Sequence, residues 1–136
     1  MFGWLTLIVG PGAYALFRHK LVSSASGDLL GVEIGKESDW KVGSGRIVRF
    51  GVEKVMVART SDGKLHALSA ECTHMGCSIR FIEESGKSEF ACNCHDSRFD
   101  LDGKNISGPA PKPLGRYSLE KSGDVLVLRK ARIEGG

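Results

Sequence analysis

From Leu29 onward, apolar and β-branched residues recur in short runs closed by glycine, serine or aspartate turn signals, with little that follows a helical period. The runs 29–34, 46–50, 54–59, 65–70, 79–82, 88–91, 117–121 and 125–130 read as strands, the third alternating through Val55 and Val57. Ser61-Asp62-Gly63-Lys64 is a hairpin turn, and 83–87 and Ser122-Gly123-Asp124 are connections of the same kind. The expected fold is therefore all-β, a small antiparallel β-sandwich over residues 29–136. Two hairpin-like loops should project from one end, one entered from 65–70 and the other from 88–91.

The pattern before Leu29 is different. Residues 2–17 carry no charge for sixteen positions and are followed at once by Arg18-His19-Lys20. A bilayer span takes about 20 apolar residues, so this run is about one turn short. A signal peptide would have a basic segment before the apolar run. A soluble core helix would be weakened by Gly10-Pro11-Gly12, which a membrane helix tolerates better. The favoured expectation is an N-terminal membrane-anchor helix over 1–20, its span completed upstream of Met1, although a basic cluster after the span fits orientation rules poorly. Trp4 suits such an anchor, and Trp40 a surface turn or core edge. Residues 21–28, with Ser23-Ser24-Ala25-Ser26-Gly27, read as a flexible hinge.

Composition adds only bounds. With 136 residues, 41% of them hydrophobic, the chain has room for one domain and an appendage. A net charge of +3 is too mild to argue for a nucleic-acid partner.

All four cysteines fall in two short windows, each of which also holds a histidine: Cys72-Thr73-His74-Met75-Gly76-Cys77 and Cys92-Asn93-Cys94-His95. The pattern is C-x-H-x2-C, fourteen residues, then C-x-C-H. Thiolate and neutral imidazole together are metal-ligand chemistry. A zinc site would use four of these six side chains, and two plain disulfides would use the cysteines alone. Zinc leaves the other candidates idle, and disulfides leave the histidines idle. His66 and His19, outside both windows, are read as structural or solvated.

The two windows, with Ser97, Phe99-Asp100 and Gly108-Pro109-Ala110-Pro111, resemble the Rieske iron-sulfur family in its disulfide-containing form, found in quinol-oxidising cytochrome bc and bf complexes. The resemblance covers roughly residues 45–130. It implies a Rieske [2Fe-2S] cluster with Cys72 and Cys92 on one iron and His74 and His95 on the other. It also implies a disulfide between Cys77 and Cys94, and an oxidising compartment to keep it. Ser97 matches a serine whose hydroxyl donates to a bridging sulfide, and the proline segment 108–113 matches a loop that shields the cluster from water.

By the same resemblance, one of the two histidines accepts a hydrogen bond from quinol, with His95 favoured over His74, and the electron passes to a c-type cytochrome. The implied partners are a cytochrome b subunit, that cytochrome, quinol and the membrane, with the cluster domain on the periplasmic or lumenal side. The isolated chain is not expected to oxidise quinol. Four residues depart from the family's usual choice: Phe99 for tyrosine, Asp96 for glycine, Asn93 for proline and Met75 for leucine. Phe99 lacks a hydroxyl donor, so the expected potential lies below the top of the Rieske range. Rival readings within the resemblance are a soluble Rieske ferredoxin, which would lack the surplus cysteine pair, and the small subunit of a periplasmic molybdenum oxidase.

Overall fold

The computed structural model describes residues 31–131. The expected anchor at 1–20, the hinge at 21–28 and the first two residues of the first expected strand lie outside the described residues. Among the described residues, no helix is long and apolar enough to cross a membrane.

Among the described residues, ten strands form three antiparallel sheets: β1 (Val32–Lys36), β2 (Ser44–Phe50), β3 (Glu53–Arg59), β4 (Leu65–Ser69), β5 (Ile79–Glu84), β6 (Lys87–Cys92), β7 (Arg98–Phe99), β8 (Asn105–Ser107), β9 (Tyr117–Ser122) and β10 (Val125–Lys130). Their orders are β1-β10-β9, β2-β3-β4 and β5-β6-β7-β8. The all-β expectation holds, and each expected turn joins the strands it was expected to join. At the β3–β4 turn, Thr60 N–H donates to the Lys64 carbonyl at 2.9 Å. The β5–β6 connection narrows to Ser85 and Gly86, both at positive φ, as a tight two-residue hairpin requires.

Three features were not visible in the pattern. β7 and β8 are two and three residues long, too short to show alternation, and are held by pairing Phe90 to Phe99 and Arg98 to Ser107. A single 3-10 turn, Glu37–Asp39, follows β1. Its carbonyls and side chain are gathered by Arg59, which donates to the Glu37 and Trp40 backbone oxygens and ion-pairs with the Glu37 carboxylate. That arrangement buries Trp40 to 3% exposure, deeper than a surface turn would allow, with the Arg46 guanidinium 3.8 Å over its ring.

The decisive element is β3. Its odd residues Val55 and Val57 enter one core with Trp40, Phe50, Ala67, Leu126 and Leu128. Its even residues Met56 and Ala58 enter a second core with Leu68, Ala70, Cys72, Ile79, Phe90, Cys92, Phe99 and Leu114. A strand buried on both faces reads as a continuous apolar run rather than as an alternation, which is the Val55-Met56-Val57-Ala58 seen here. Burying each large side chain contributes about 1.5–3 kcal/mol. β3 thus couples a purely structural core to the one from which the cysteine loops spring.

Candidate metal centre

The first loop leaves β4 and returns as β5. Cys72 N–H donates to the Cys77 carbonyl at 2.8 Å and Gly76 N–H to the Cys72 carbonyl at 2.9 Å, so the loop closes on itself. The second loop leaves β6 and returns as β7, closed by Cys92 N–H to the Ser97 carbonyl at 2.8 Å. Asn93 N–H reaches the Ser78 carbonyl at 3.2 Å, joining the loops through backbone. Cys77 and Cys94 join them covalently as a disulfide.

The remaining candidates sort into two pairs. Cys72 and Cys92 are free thiols, each 3% exposed, at the bases of the loops. They lie within hydrogen-bonding reach of one another. Burial pushes the Cys72 thiol up, opposed by the His74 backbone N–H and the Ser97 hydroxyl, which are aimed at its sulfur. Burial also resists ionisation of Cys92, but the backbone N–H groups of Cys94 and His95, with the Cys72 thiol, outweigh it and hold Cys92 below the usual thiol range. Backbone donors directed at sulfur are what a pair of ligating thiolates needs.

His74 and His95 form the second pair. Both are exposed, with ring centroids 4.9 Å apart and planes at 87°. Cys77, Cys94 and His95 also bring ligand atoms within 4.8 Å of one another. Two of those sulfurs are bonded to each other, so that trio offers no thiolate to a metal. It records instead that the disulfide abuts the second histidine.

A third segment covers the loops. Ser97 is fully buried, and its hydroxyl oxygen accepts the Ala110 N–H at 3.1 Å. The Thr73 hydroxyl donates to the Lys112 carbonyl at 2.7 Å. Each loop thus pins the proline segment with one hydroxyl. Gly108 is at φ +85°, and a Cβ there would come within 2.5 Å of Ser97 Cα and 2.9 Å of the Asp96 carbonyl oxygen. Only glycine lets the two backbones approach so closely. Thr73 and Gly108 were not singled out for these roles in the sequence, because the contacts depend on how the chain folds back: Thr73 meets a partner 39 residues away, and Gly108 meets Ser97 through the pairing of β7 with β8. Met75 is 71% exposed beside His74 in the chain. Asp96 stands at φ +54° and exposed, between His95 and Ser97. Phe99 is fully buried in the loop-side core. His66 belongs to β4, opposite Ala58, and joins neither pair.

Paired buried thiols behind paired exposed imidazoles, on loops of an all-β scaffold, define an iron-sulfur electron-carrier domain. The chain belongs to the Rieske [2Fe-2S] domain family, whose profile matches residues 31–118. It is 37% identical over 98 residues to the cytochrome b6-f complex iron-sulfur subunit of Chlorobaculum thiosulfatiphilum, covering 72% of this chain and 52% of that protein. The chain spans about half the length of the curated relatives it matches. Among solved structures, the cyanobacterial plasma membrane Rieske protein PetC3 from Synechocystis PCC 6803 aligns at a TM-score of 0.62 and 27% identity, covering 72% of this chain and 98% of that one. The ferredoxin of carbazole 1,9a-dioxygenase from Nocardioides aromaticivorans IC177 aligns at 0.65 and 22% identity, covering 74% and 98%, and shares the fold.

The family's cofactor is a Rieske [2Fe-2S] cluster. The donor set fits it: two thiols and two imidazoles arranged as pairs suit two irons of different ligation.

Proposed function

We propose that the chain is the iron-sulfur subunit of a quinol:cytochrome c oxidoreductase of the cytochrome bc type, with Cys72 and Cys92 holding one iron and His74 and His95 the other. When bound, the cluster supplies one-electron chemistry at a potential raised by imidazole ligation. The chain's own residues do the rest. The exposed ring of His95 takes the hydrogen bond from a quinol hydroxyl and holds the proton at its outward nitrogen, with His74 beside it. Met75 gives quinol an apolar wall. Ser97 holds its hydroxyl toward the sulfur pair, fixed by Ala110. The disulfide and the proline segment keep water from the thiols and hold the loops at one spacing.

The observation that carries this reading is the Cys77–Cys94 disulfide joining two loops whose outer edges are imidazole and whose bases are buried thiols. A disulfide-braced tip suits an oxidising compartment, and hence a periplasmic or lumenal position on a membrane complex with cytochrome b and a c-type cytochrome. The relatives named as cytochrome b6-f subunits support the same assignment. Oxidation of quinol requires the cytochrome b partner.

The test is iron and sulfide analysis of the full chain with an EPR-monitored redox titration. Two irons and two sulfides per chain, with a midpoint in the upper part of the Rieske range, is the expected result. A midpoint near the bottom, about −150 mV, would reassign the chain to ferredoxin-type service, and stoichiometric zinc without iron would overturn the cluster itself.

A further inference from the structure

The β2–β3 hairpin ends in an arrangement that folding alone does not favour. Arg49 stands directly opposite Lys54, and facing like charges oppose strand pairing. Both are exposed, and among the described residues no acidic side chain pairs with either. The neighbouring acid, Glu53, is already engaged by the Tyr117 hydroxyl at 2.6 Å and by Lys130 at 2.9 Å.

Strand alternation places these two cations. Lys54 shares a face of β3 with Met56 and Ala58, which enter the core containing Cys72 and Cys92. Across the ladder, Arg49 shares that face of β2 with Ile47. Ala70, two residues before Cys72, donates its N–H to the Lys54 carbonyl at 2.8 Å, so the hairpin end lies alongside the start of the first cysteine loop. Apolar surface accompanies the charge: Ile47 is 44% exposed on the same face, and Val52, in the turn between the two cations, is 94% exposed. Glu71 and Asp96 carry negative charge on the loops themselves and Lys112 positive charge on the segment over them, whereas the hairpin end holds its two cations directly opposite one another.

We infer that the end of the β2–β3 hairpin, with Arg49 and Lys54 flanked by Ile47 and Val52, is a docking surface for an acidic redox protein that exchanges electrons at the His74–His95 edge. The inference rests on the electron-carrier reading above and adds the charge and position of the partner's contact. An acidic partner neutralises the Arg49–Lys54 repulsion and covers the exposed valine while its own redox centre approaches the imidazoles from the same end. Two cations suffice to steer a diffusional encounter. They are too few to hold an anionic membrane, where recognition takes clusters of about four to eight basic residues.

The experiment uses the full, cluster-loaded chain, reduced and mixed by stopped flow with two c-type cytochromes of matched potential, one acidic and one basic. Wild type should react faster with the acidic cytochrome at low salt and lose that advantage as salt rises. R49E/K54E should react about ten-fold or more slowly with the acidic cytochrome at low salt and faster with the basic one. Its EPR signal and midpoint should be unchanged. R49Q/K54Q, which only removes charge, should fall between the two and guards against a misfolded double reversal. A competent cluster with rates that ignore these substitutions would overturn the docking surface alone. So would unchanged cytochrome kinetics combined with lost binding to phosphatidylserine vesicles. A chain without iron would sink the carrier reading and this inference with it.

Discussion

The two cores that share β3 are built on opposite principles. The one around Phe50, Val55, Val57, Leu126 and Leu128 is built of aliphatic and aromatic side chains, drawn largely from strands paired over long, regular registers. The one around Met56, Phe90 and Phe99 also contains two free thiols and borders a buried hydroxyl, and part of its wall is loop and two- or three-residue strand. The first core holds the fold, and the Trp40 indole nitrogen buried in it has no hydrogen-bond partner among the described residues. In the second, the polar groups around the cysteines are directed at partners: the Ser97 hydroxyl at Ala110 N–H and a cysteine sulfur, the cysteine sulfurs at backbone N–H groups. Stability and chemistry are thus separated across a single strand.

Substitutions that touch one core only are the strongest way to break that comparison. Cys92→Ser should abolish the cluster, read as loss of iron and of the EPR signal, while the far-ultraviolet circular dichroism of the chain keeps its β character. Leu128→Ala, on the other core, should cost about 2–5 kcal/mol of stability. It should lower the thermal midpoint while the folded fraction keeps an unaltered EPR spectrum. If Leu128→Ala changed the spectrum or Cys92→Ser unfolded the chain outright, the separation would be wrong. A smaller effect sharpens it. Ser97→Ala removes the hydroxyl aimed at the Cys72 sulfur, so the reduced, more negative site loses a donor. The midpoint should fall by roughly 40–90 mV, the equivalent of about 1–2 kcal/mol, with little change in iron content.

The same division explains which features could be read before the structure. The long hairpins announced themselves because alternation and turn chemistry are local: Asp62-Gly63 and Gly123 mark their turns whatever surrounds them. The cysteine and histidine windows were equally plain, since ligand spacing lies within a few residues. β7, β8 and the depth of Trp40 were not, because they depend on contacts from distant segments, Phe90 for β7 and Arg59 for the turn that buries Trp40. β3 was read as alternating through its valines, whereas Met56 and Ala58 are buried as well. The mark of the second core is the unbroken apolar run 55–58, which a reading by two-residue alternation passes over. The brace of the proline segment was hidden for a similar reason: a threonine hydroxyl reaching Lys112 and a glycine pressed on Ser97 are tertiary facts.

The smallest effect probes where the loop side stores strain. Asp96 holds φ +54° in the second loop, a region that costs an ordinary side chain about 1–2 kcal/mol and that glycine occupies freely. Aspartate is among the residues that tolerate it best, since its short side chain can hydrogen-bond locally. Asp96→Gly relieves the backbone but loosens the unfolded chain, an opposing term of about 0.4–1 kcal/mol, so its net effect should be a gain of at most about 0.5 kcal/mol. Asp96→Ala has the steric cost without the tolerance and should be less stable than wild type by about 1 kcal/mol. The order glycine, aspartate, alanine in chemical denaturation midpoints, at equal denaturant slopes, is the expected result. Alanine equal to aspartate would mean that the second loop is not held in the left-handed form. Asp96→Asn keeps that tolerance while removing the charge near Arg98, so any change of midpoint potential in this variant without a change of stability belongs to the carboxylate and not to the backbone.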